Sequence, residues 1–138
     1  MDVIIRGRSI SKGVASGTLL VGRDPISFLS GVDPETGLVV EEGNALCGES
    51  VAGKILAFPF GKGSTVGSYV IYALKRNECA PLAIINEEAE PIIAVGAIIS
   101  GIPAIDRLEI PLARLRTGMQ VTVDGTAGSL GVDEGDIG

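Results

Sequence analysis

The chain has 138 residues, seventeen acidic and eleven basic side chains, a net charge of −6 and no histidine. This length predicts a single domain over residues 1–138, which is small for an enzyme that builds a whole active site alone. The acidic balance without a basic stripe argues against a nucleic-acid partner, and the lack of histidine removes the commonest general base and zinc ligand.

The first third of the chain is predicted to be β-structure followed by a loop. Residues 3–6 and 15–21 have strand-like apolar patterns, and a turn at residues 11–13 joins them. Residues 23–44 contain several turn signals and predict a long ordered loop with a short strand. Long loops in compact domains often carry function, so residues 31–37 form a candidate site, with a plain surface loop as the alternative.

A strand over residues 54–59 is predicted to run through a glycine-rich turn into an amphipathic helix. The turn is Phe60-Gly61-Lys62-Gly63-Ser64-Thr65. The apolar residues of the helix recur at helical spacing and are Val66, Tyr69, Val70, Ala73 and Leu74. Ser64 is therefore expected at or next to the helix N-cap. It is either a structural cap or a hydroxyl that the positive end of the helix dipole makes reactive.

The remaining elements continue a β-α-β-α-β alternation, which predicts an α/β fold. We expect a strand at residues 82–85, a short buried helix at 92–99 ending near Gly101, and a strand at 104–108. Further strands are expected at 120–123 and 129–132, before a solvated, frayed acidic tail at about 133–138.

The apolar run at residues 91–105 is shorter than the roughly 20 residues that a membrane span needs. The amino terminus lacks the pattern of a signal peptide. No membrane association and a cytoplasmic location are therefore expected.

Cys47 and Cys79 are too few, and too far apart in sequence, for a four-ligand zinc site or an iron–sulfur cluster held by this chain alone. Both are expected to be buried free thiols. Acidic residues occur in neighbouring pairs, Glu41 with Glu42 and Glu87 with Glu88. They are expected to be solvated rather than acid–base pairs, because adjacent side chains point in different directions.

The motif at residues 60–65 resembles the Phe-Gly-x-Gly-Ser-Ser motif in the swivelling domain of the aconitase superfamily, where the serine is the catalytic base. The longer run at 61–69, together with residues 31–37, is similar to the free-standing small subunit of the aconitase X branch, and the likeness extends over essentially the whole chain. The resemblance implies a β/β/α swivelling domain. It also implies a separate large subunit that carries a cysteine-ligated [4Fe-4S] cluster, with no cofactor bound by this chain alone.

One departure from the wider superfamily narrows the substrate. Aconitase and isopropylmalate isomerase follow their serines with Arg-Glu-His, whereas Val66-Gly67-Ser68 stand here, which disfavours the substrates of those two enzymes. Within the aconitase X branch, archaeal two-chain enzymes dehydrate (R)-5-phosphomevalonate, and bacterial relatives act on cis-3-hydroxyproline. The chain has only one glutamine and three asparagines, a composition that favours the archaeal, heat-adapted alternative.

The resemblance also implies roles for particular residues. Ser64, as an alkoxide, would remove a proton next to the substrate carboxylate while an iron atom of the partner's cluster acts on the departing hydroxyl. Lys62 would stabilise that alkoxide, meet the substrate phosphate or lie in solvent. The residues expected to contact the small phosphorylated hydroxy acid are Gly61, Lys62, Gly63, Thr65, Arg23 and Asp33. A non-catalytic anion-binding or regulatory module is the alternative from another functional class.

Overall fold

The computed structural model describes residues 2–137, without the side chain of Ile137. In these residues the strands are β1 (Asp2–Arg6), β2 (Arg8–Ser11), β3 (Val14–Val21), β4 (Ile55–Phe58), β5 (Ala83–Asn86), β6 (Ala104–Asp106), β7 (Gln120–Asp124) and β8 (Ser129–Asp133). The helices are α1 (Phe28–Gly31), α2 (Gly67–Arg76), α3 (Pro91–Ser100) and α4 (Glu134–Ile137), with a 3₁₀ turn at Leu112–Arg114.

The strands form one mixed sheet in the order β1-β8-β7-β3-β4-β5-β6-β2. β3 belongs to both halves of the sheet, because residues 14–18 pair antiparallel with β7 and residues 19–21 pair parallel with β4. β4, β5 and β6 continue the parallel half. The carboxyl ends of β3, β4, β5 and β6 therefore lie along one edge.

Two apolar clusters fill the interior on opposite sides of the parallel strands. Because strand side chains alternate, Leu56 of β4 and Ile84 of β5 pack against the helices, whereas Ile55 and Ile85 pack towards β7 and β8. All four residues of each of these strands are buried, as expected for central parallel strands. The parallel strands therefore pack between the helices on one side and strands β7 and β8 of the same sheet on the other. This arrangement confirms the predicted α/β fold.

The predicted helices are present but are less buried than expected. α3 ends as predicted, at a left-handed Gly101 with φ of 66°. In α2, however, Ile71 and Leu74 face the core, whereas Val66, the N-cap residue before this helix, and Tyr69 are 47% and 68% exposed. The predicted apolar face was therefore wrong in part, because apolar residues lie on two sides of this helix and only one of them meets the sheet.

Three segments differ from the sequence expectation. Residues 8–11 form β2, which pairs with β6. Because β6 is distant in sequence, no local pattern indicates this strand. Residues 28–31 form α1 inside the predicted loop. Residues 134–137 form a helical turn instead of a frayed tail, and the Asp133 carboxylate accepts a hydrogen bond from Gly135 N–H at 2.8 Å.

Candidate active site

The carboxyl edge of the parallel strands brings several predicted site residues together. Arg23 lies two residues beyond β3, and the motif at residues 60–65 begins two residues beyond β4. Ligands of open α/β sheets bind outside the carboxyl ends of the strands. The fold therefore places Arg23 and the motif where a ligand is expected.

Backbone hydrogen bonds fix the start of the motif against the segment before α1. Ile26 N–H donates to the Phe60 carbonyl at 3.2 Å, and Lys62 N–H donates to the Ile26 carbonyl at 3.0 Å. This short parallel bridge fixes the backbone conformation of the loop before Ser64.

Two motif positions require glycine. A Cβ atom on Gly61 would lie 2.5 Å from Oε1 of Glu90, the residue that caps α3. Gly63 has φ of +88°, and a Cβ atom there would lie 2.7 Å from Oγ of the buried Ser27. The loop therefore packs against the N-cap residues of α1 and α3, and a larger residue at either glycine position would displace it.

Ser64 is exposed and lies two residues before Val66, the N-cap of α2. Its Oγ accepts a hydrogen bond from Val66 N–H at 3.1 Å, and its carbonyl accepts one from Gly67 N–H at 2.9 Å. The first bond is a local serine turn, as a structural role requires. The same N–H would also stabilise negative charge on Oγ, so the arrangement suits a base as well.

Backbone donors next to Ser64 are left open. Within the described part of the chain, the N–H groups of Gly63, Ser64 and Thr65 have no hydrogen-bond acceptor. Successive free N–H groups before a helix form a concave site that favours anions. The motif therefore offers an accessible hydroxyl beside several donors for a negatively charged group.

Lys62 points to a nearby carboxylate. Its Nζ lies 3.4 Å from Oε2 of Glu41, whose side chain is only 20% exposed. The same oxygen accepts a hydrogen bond from Nδ2 of Asn44 at 3.2 Å. The charge of Lys62 is therefore partly compensated within the chain.

Arg23 differs from Lys62 in this respect. Its guanidinium is exposed and has no hydrogen bond or ion pair among the described residues. It borders a cleft of about 150 Å³ that Pro59, next to the motif, also lines. Arg23 is therefore available to an anionic ligand at this edge.

Asp33 lies away from Ser64, at the other end of α2. Its Oδ1 accepts a hydrogen bond from Glu35 N–H at 2.9 Å, and the intervening Pro34 carbonyl accepts one from Nδ2 of Asn77 at 2.7 Å. Asn77 follows the last residue of α2, a ten-residue helix of roughly 15 Å. Substrate contact by Asp33 stays a prediction that this placement does not support.

The two cysteines have different surroundings. Cys79 is buried, as predicted, and burial raises the pKa of its thiol, with a smaller contribution from the charge of Asp33. Cys47 is exposed, so the prediction of two buried thiols was wrong for this residue. It lies in a surface turn in which the neighbouring Leu46 takes the inward position.

Charged residues at the carboxyl ends of β5 and β6 form a network that sequence reasoning missed. The fully buried Asp106 accepts hydrogen bonds from Nε and Nη2 of Arg8 at 2.9 and 2.7 Å, which raise the pKa of that guanidinium. Arg107 donates to both carboxylate oxygens of Glu88 at 2.8 and 2.6 Å and lowers the pKa of Glu88. Glu88 is thus exposed, as predicted, but paired with a residue that no local pattern indicates.

Ser27 and Glu90 were also missed, although each contacts the motif loop. The prediction of a solvated Glu41 was wrong, because its side chain is only 20% exposed and faces Lys62. None of the three has a sequence signal of its own, because each is brought to the loop by tertiary packing. The described residues contain no group of three potential metal-ligating side chains. In the same residues, no helix has the length and apolar content for a bilayer crossing.

Comparison with known proteins identifies the family. The model of the aconitase X swivel domain matches residues 4–132. The chain belongs to the aconitase X swivel domain family. This result confirms the resemblance seen at the motif.

Relatives and solved structures agree over nearly the full length. The chain is 60% identical to the phosphomevalonate dehydratase small subunit of Methanosarcina acetivorans, covering 93% of this chain and 90% of that protein. It is 54% identical to the small subunit of the same name from Pyrococcus furiosus, covering 96% and 98%. The crystal structure of Thermococcus kodakaraensis aconitase X in its holo-form matches with a TM-score of 0.91 at 55% identity, covering 96% of this chain and 99% of that chain.

Proposed function

We propose that this chain is the small subunit of a two-chain dehydratase that converts (R)-5-phosphomevalonate to trans-anhydromevalonate 5-phosphate. The names of relatives that match almost the whole chain support the substrate. The observation that carries the chemistry is the exposed Ser64 hydroxyl beside unpaired N–H groups at the carboxyl edge of the sheet.

Ser64 is the proposed base. As an alkoxide it takes the proton from the carbon next to the substrate carboxylate, and the electron pair of that C–H bond forms the new double bond as hydroxide leaves the adjacent carbon. A serine hydroxyl is a weak acid, so its anion needs stabilisation. The N–H of Val66, 3.1 Å from Oγ, and the amino-terminal end of α2 supply it.

The substrate carries a carboxylate and a phosphate, and the site offers two kinds of anion donor. The free N–H groups of Gly63, Ser64 and Thr65 would hold the group nearer to the reacting carbon. The unpaired guanidinium of Arg23 would hold the other one, since arginine matches the geometry of carboxylate and phosphate. Lys62 contributes less, because Glu41 already faces its ammonium group.

Loss of the hydroxyl is assigned to the large subunit. The aconitase-type family implies an iron–sulfur cluster, and we place its ligands on the partner because this chain has only two cysteines. When bound, the cluster would supply a Lewis acid for the departing hydroxyl. The cytoplasmic location stays a prediction of the sequence.

The test is replacement of Ser64 with Ala in the reconstituted two-chain enzyme. Turnover of (R)-5-phosphomevalonate should fall by about 10²- to 10⁴-fold with assembly intact. Ser16→Ala is the matched control, because its exposed hydroxyl bonds Thr122 on the antiparallel half of the sheet.

Turnover by Ser64→Ala at the wild-type rate would refute the base. A wild-type pair that dehydrates cis-3-hydroxyproline instead would refute the substrate. A pair without any dehydratase activity would favour the anion-binding module.

A further inference from the structure

The outward side of the helix layer is apolar and uncovered. α3 (Pro91–Ser100) has no charged side chain, and its Val95, Ile98 and Ile99 are 48%, 58% and 45% exposed. These positions are spaced i, i+3 and i+4, so they share one side of the helix. A helix that is apolar all round is normally buried, and no other part of the described chain covers this outward side of α3.

A groove extends this surface to the motif. It has a volume of about 270 Å³, lies between the amino-terminal ends of α2 and α3, and is mostly apolar. Val66, Tyr69 and Val95 line it, and so does Thr65 of the motif. Because Thr65 follows Ser64, the groove is continuous with the candidate active site. The apolar face is hereafter Val66, Tyr69, Val95, Ile98 and Ile99.

The floor of the groove is fixed within this chain. The hydroxyl of Ser68, on α2, donates a hydrogen bond to the Ile92 carbonyl, on α3, at 2.7 Å. Ile71 and Ile93, on the inner sides of the two helices, are fully buried in the same core cluster. The apolar face is therefore a preformed surface rather than a set of side chains that could fold inward.

We propose that the apolar face is the surface on which the large subunit docks. The inference rests on the proposed function only in requiring a large subunit, and not on the identity of the substrate. A chain that completes a reaction at Ser64 must approach the motif loop, and this face is contiguous with the loop at Thr65. Protein interfaces have cores that are depleted in charge and enriched in tyrosine, as here.

The large subunit fits this face better than a second copy of the chain. A second copy on the groove would supply no reacting group that the chain itself lacks. The chain has a net charge of −6, so two copies would also repel each other. The large subunit, in contrast, is needed at this position for the reaction.

Charge substitutions within the face provide the test. Val95→Glu and Ile98→Glu each place an unpaired carboxylate where burial is expected, so affinity for the purified large subunit should fall about 100-fold. Ile4→Glu and Val14→Glu are matched controls, because these residues are 60% and 63% exposed on β1 and β3. The controls should bind within about threefold of wild type.

Three further measurements separate docking from folding and chemistry. Tyr69→Ala, across the groove, should weaken binding about tenfold without adding a charge. Saturating large subunit should restore the kcat of Ile98→Glu, because this residue is remote from the reacting atoms. Thermal unfolding of each variant confirms that the fold is retained.

Wild-type affinity in Val95→Glu, Ile98→Glu and Tyr69→Ala would overturn the proposal, as would weakened binding only in the controls. A wild-type homodimer that Ile98→Glu dissociates, with binding of the large subunit unchanged, would overturn it in favour of self-association. Assembly that depends on the face but lacks activity on (R)-5-phosphomevalonate would support docking and refute the proposed substrate. Failure of the wild-type chain to bind any large subunit would refute both.

Discussion

The two ends of α2 are bordered by loops that the sequence marks as a first and a weaker second candidate site, and their hydrogen bonding differs in the structure. At the amino-terminal end, the N–H groups of Gly63, Ser64 and Thr65 have no acceptor in the described chain. At the carboxyl-terminal end, the Asp33 carbonyl accepts hydrogen bonds from Thr36 and Gly37 N–H at 3.3 and 2.8 Å. Of the two loops, the first therefore keeps successive N–H donors available to an anionic ligand.

The loop at residues 31–37 is stabilised by the segment that follows α2. The Pro34 carbonyl accepts hydrogen bonds from Asn77 at 2.7 Å and from Sγ of Cys79 at 3.4 Å. Satisfied groups of this kind stabilise a fold but leave little for recognition. Substitutions at equivalent positions of the two loops should therefore affect different properties.

The largest difference is expected between Gly63→Ala and Gly37→Ala. Both glycines have positive φ, 88° and 78°, and a Cβ atom on either would lie 2.7 Å from a neighbouring atom. Gly63→Ala should lower kcat/KM of the reconstituted enzyme about 100-fold, because the loop that carries Ser64 must shift. Gly37→Ala should instead destabilise the fold by about 1–3 kcal/mol, with the specific activity of folded protein unchanged.

Steady-state kinetics and chemical denaturation of both variants check this pair. An equal loss of activity in the two variants would remove the distinction between the loops. A loss confined to Gly37→Ala would reverse it.

An intermediate effect, on KM, is expected from replacing the two cations Arg23 and Lys62. Arg23→Met should raise KM about tenfold, because an unpaired guanidinium is lost from the anion site. Lys62→Met should raise KM less, because Glu41 lies 3.4 Å from the Lys62 ammonium group and offsets its charge.

Removal of that counter-charge provides the control. Glu41→Gln keeps the shape of the side chain but removes the charge that faces Lys62. It should lower KM when Lys62 is present and leave KM unchanged when it is combined with Lys62→Met. A larger effect of Lys62→Met than of Arg23→Met would contradict the assignment of the main anion contact to Arg23.

The smallest effect on activity is expected in the loop at residues 31–37. Asp33→Ala removes the acceptor of the Glu35 N–H and should leave turnover within about twofold of wild type. It should also lower the pKa of Cys79, which burial raises first and the charge of Asp33 raises further. A negative neighbour disfavours the thiolate, so removing it makes the thiolate easier to form.

Alkylation of Cys79 as a function of pH, in a Cys47→Ala background, measures this shift. The rate profile should move to lower pH in Asp33→Ala. An unchanged profile together with reduced turnover would mean that Asp33 acts on the substrate and not on the loop.

Local sequence patterns predicted most of the backbone that positions Ser64. Three of these patterns follow one another in the sequence: the apolar run of β4, the glycine-rich turn and the helical spacing of α2. The end of α3 at Gly101 is likewise marked by a local glycine. The resemblance of the motif then identified the family, which the comparisons confirm. These features depend on neighbours along the chain.

Features that depend on distant neighbours could not be predicted in this way. The ion pair of Lys62 with Glu41 and the pairing of β2 with β6 join residues well separated in sequence. The exposure of Tyr69 was missed for a related reason, because an apolar residue on a helix indicates burial without saying which surface buries it. In the proposed assembly, that surface belongs to another chain.

Hydrogen–deuterium exchange at the substrate carbon next to the carboxylate tests the role of Ser64 most directly. The wild-type pair in D₂O should incorporate deuterium at this carbon of (R)-5-phosphomevalonate, and Ser16→Ala should do the same. Ser64→Ala should lose the exchange by about 10²- to 10⁴-fold while binding the large subunit normally. Exchange at the wild-type rate in Ser64→Ala would mean that another group removes the proton.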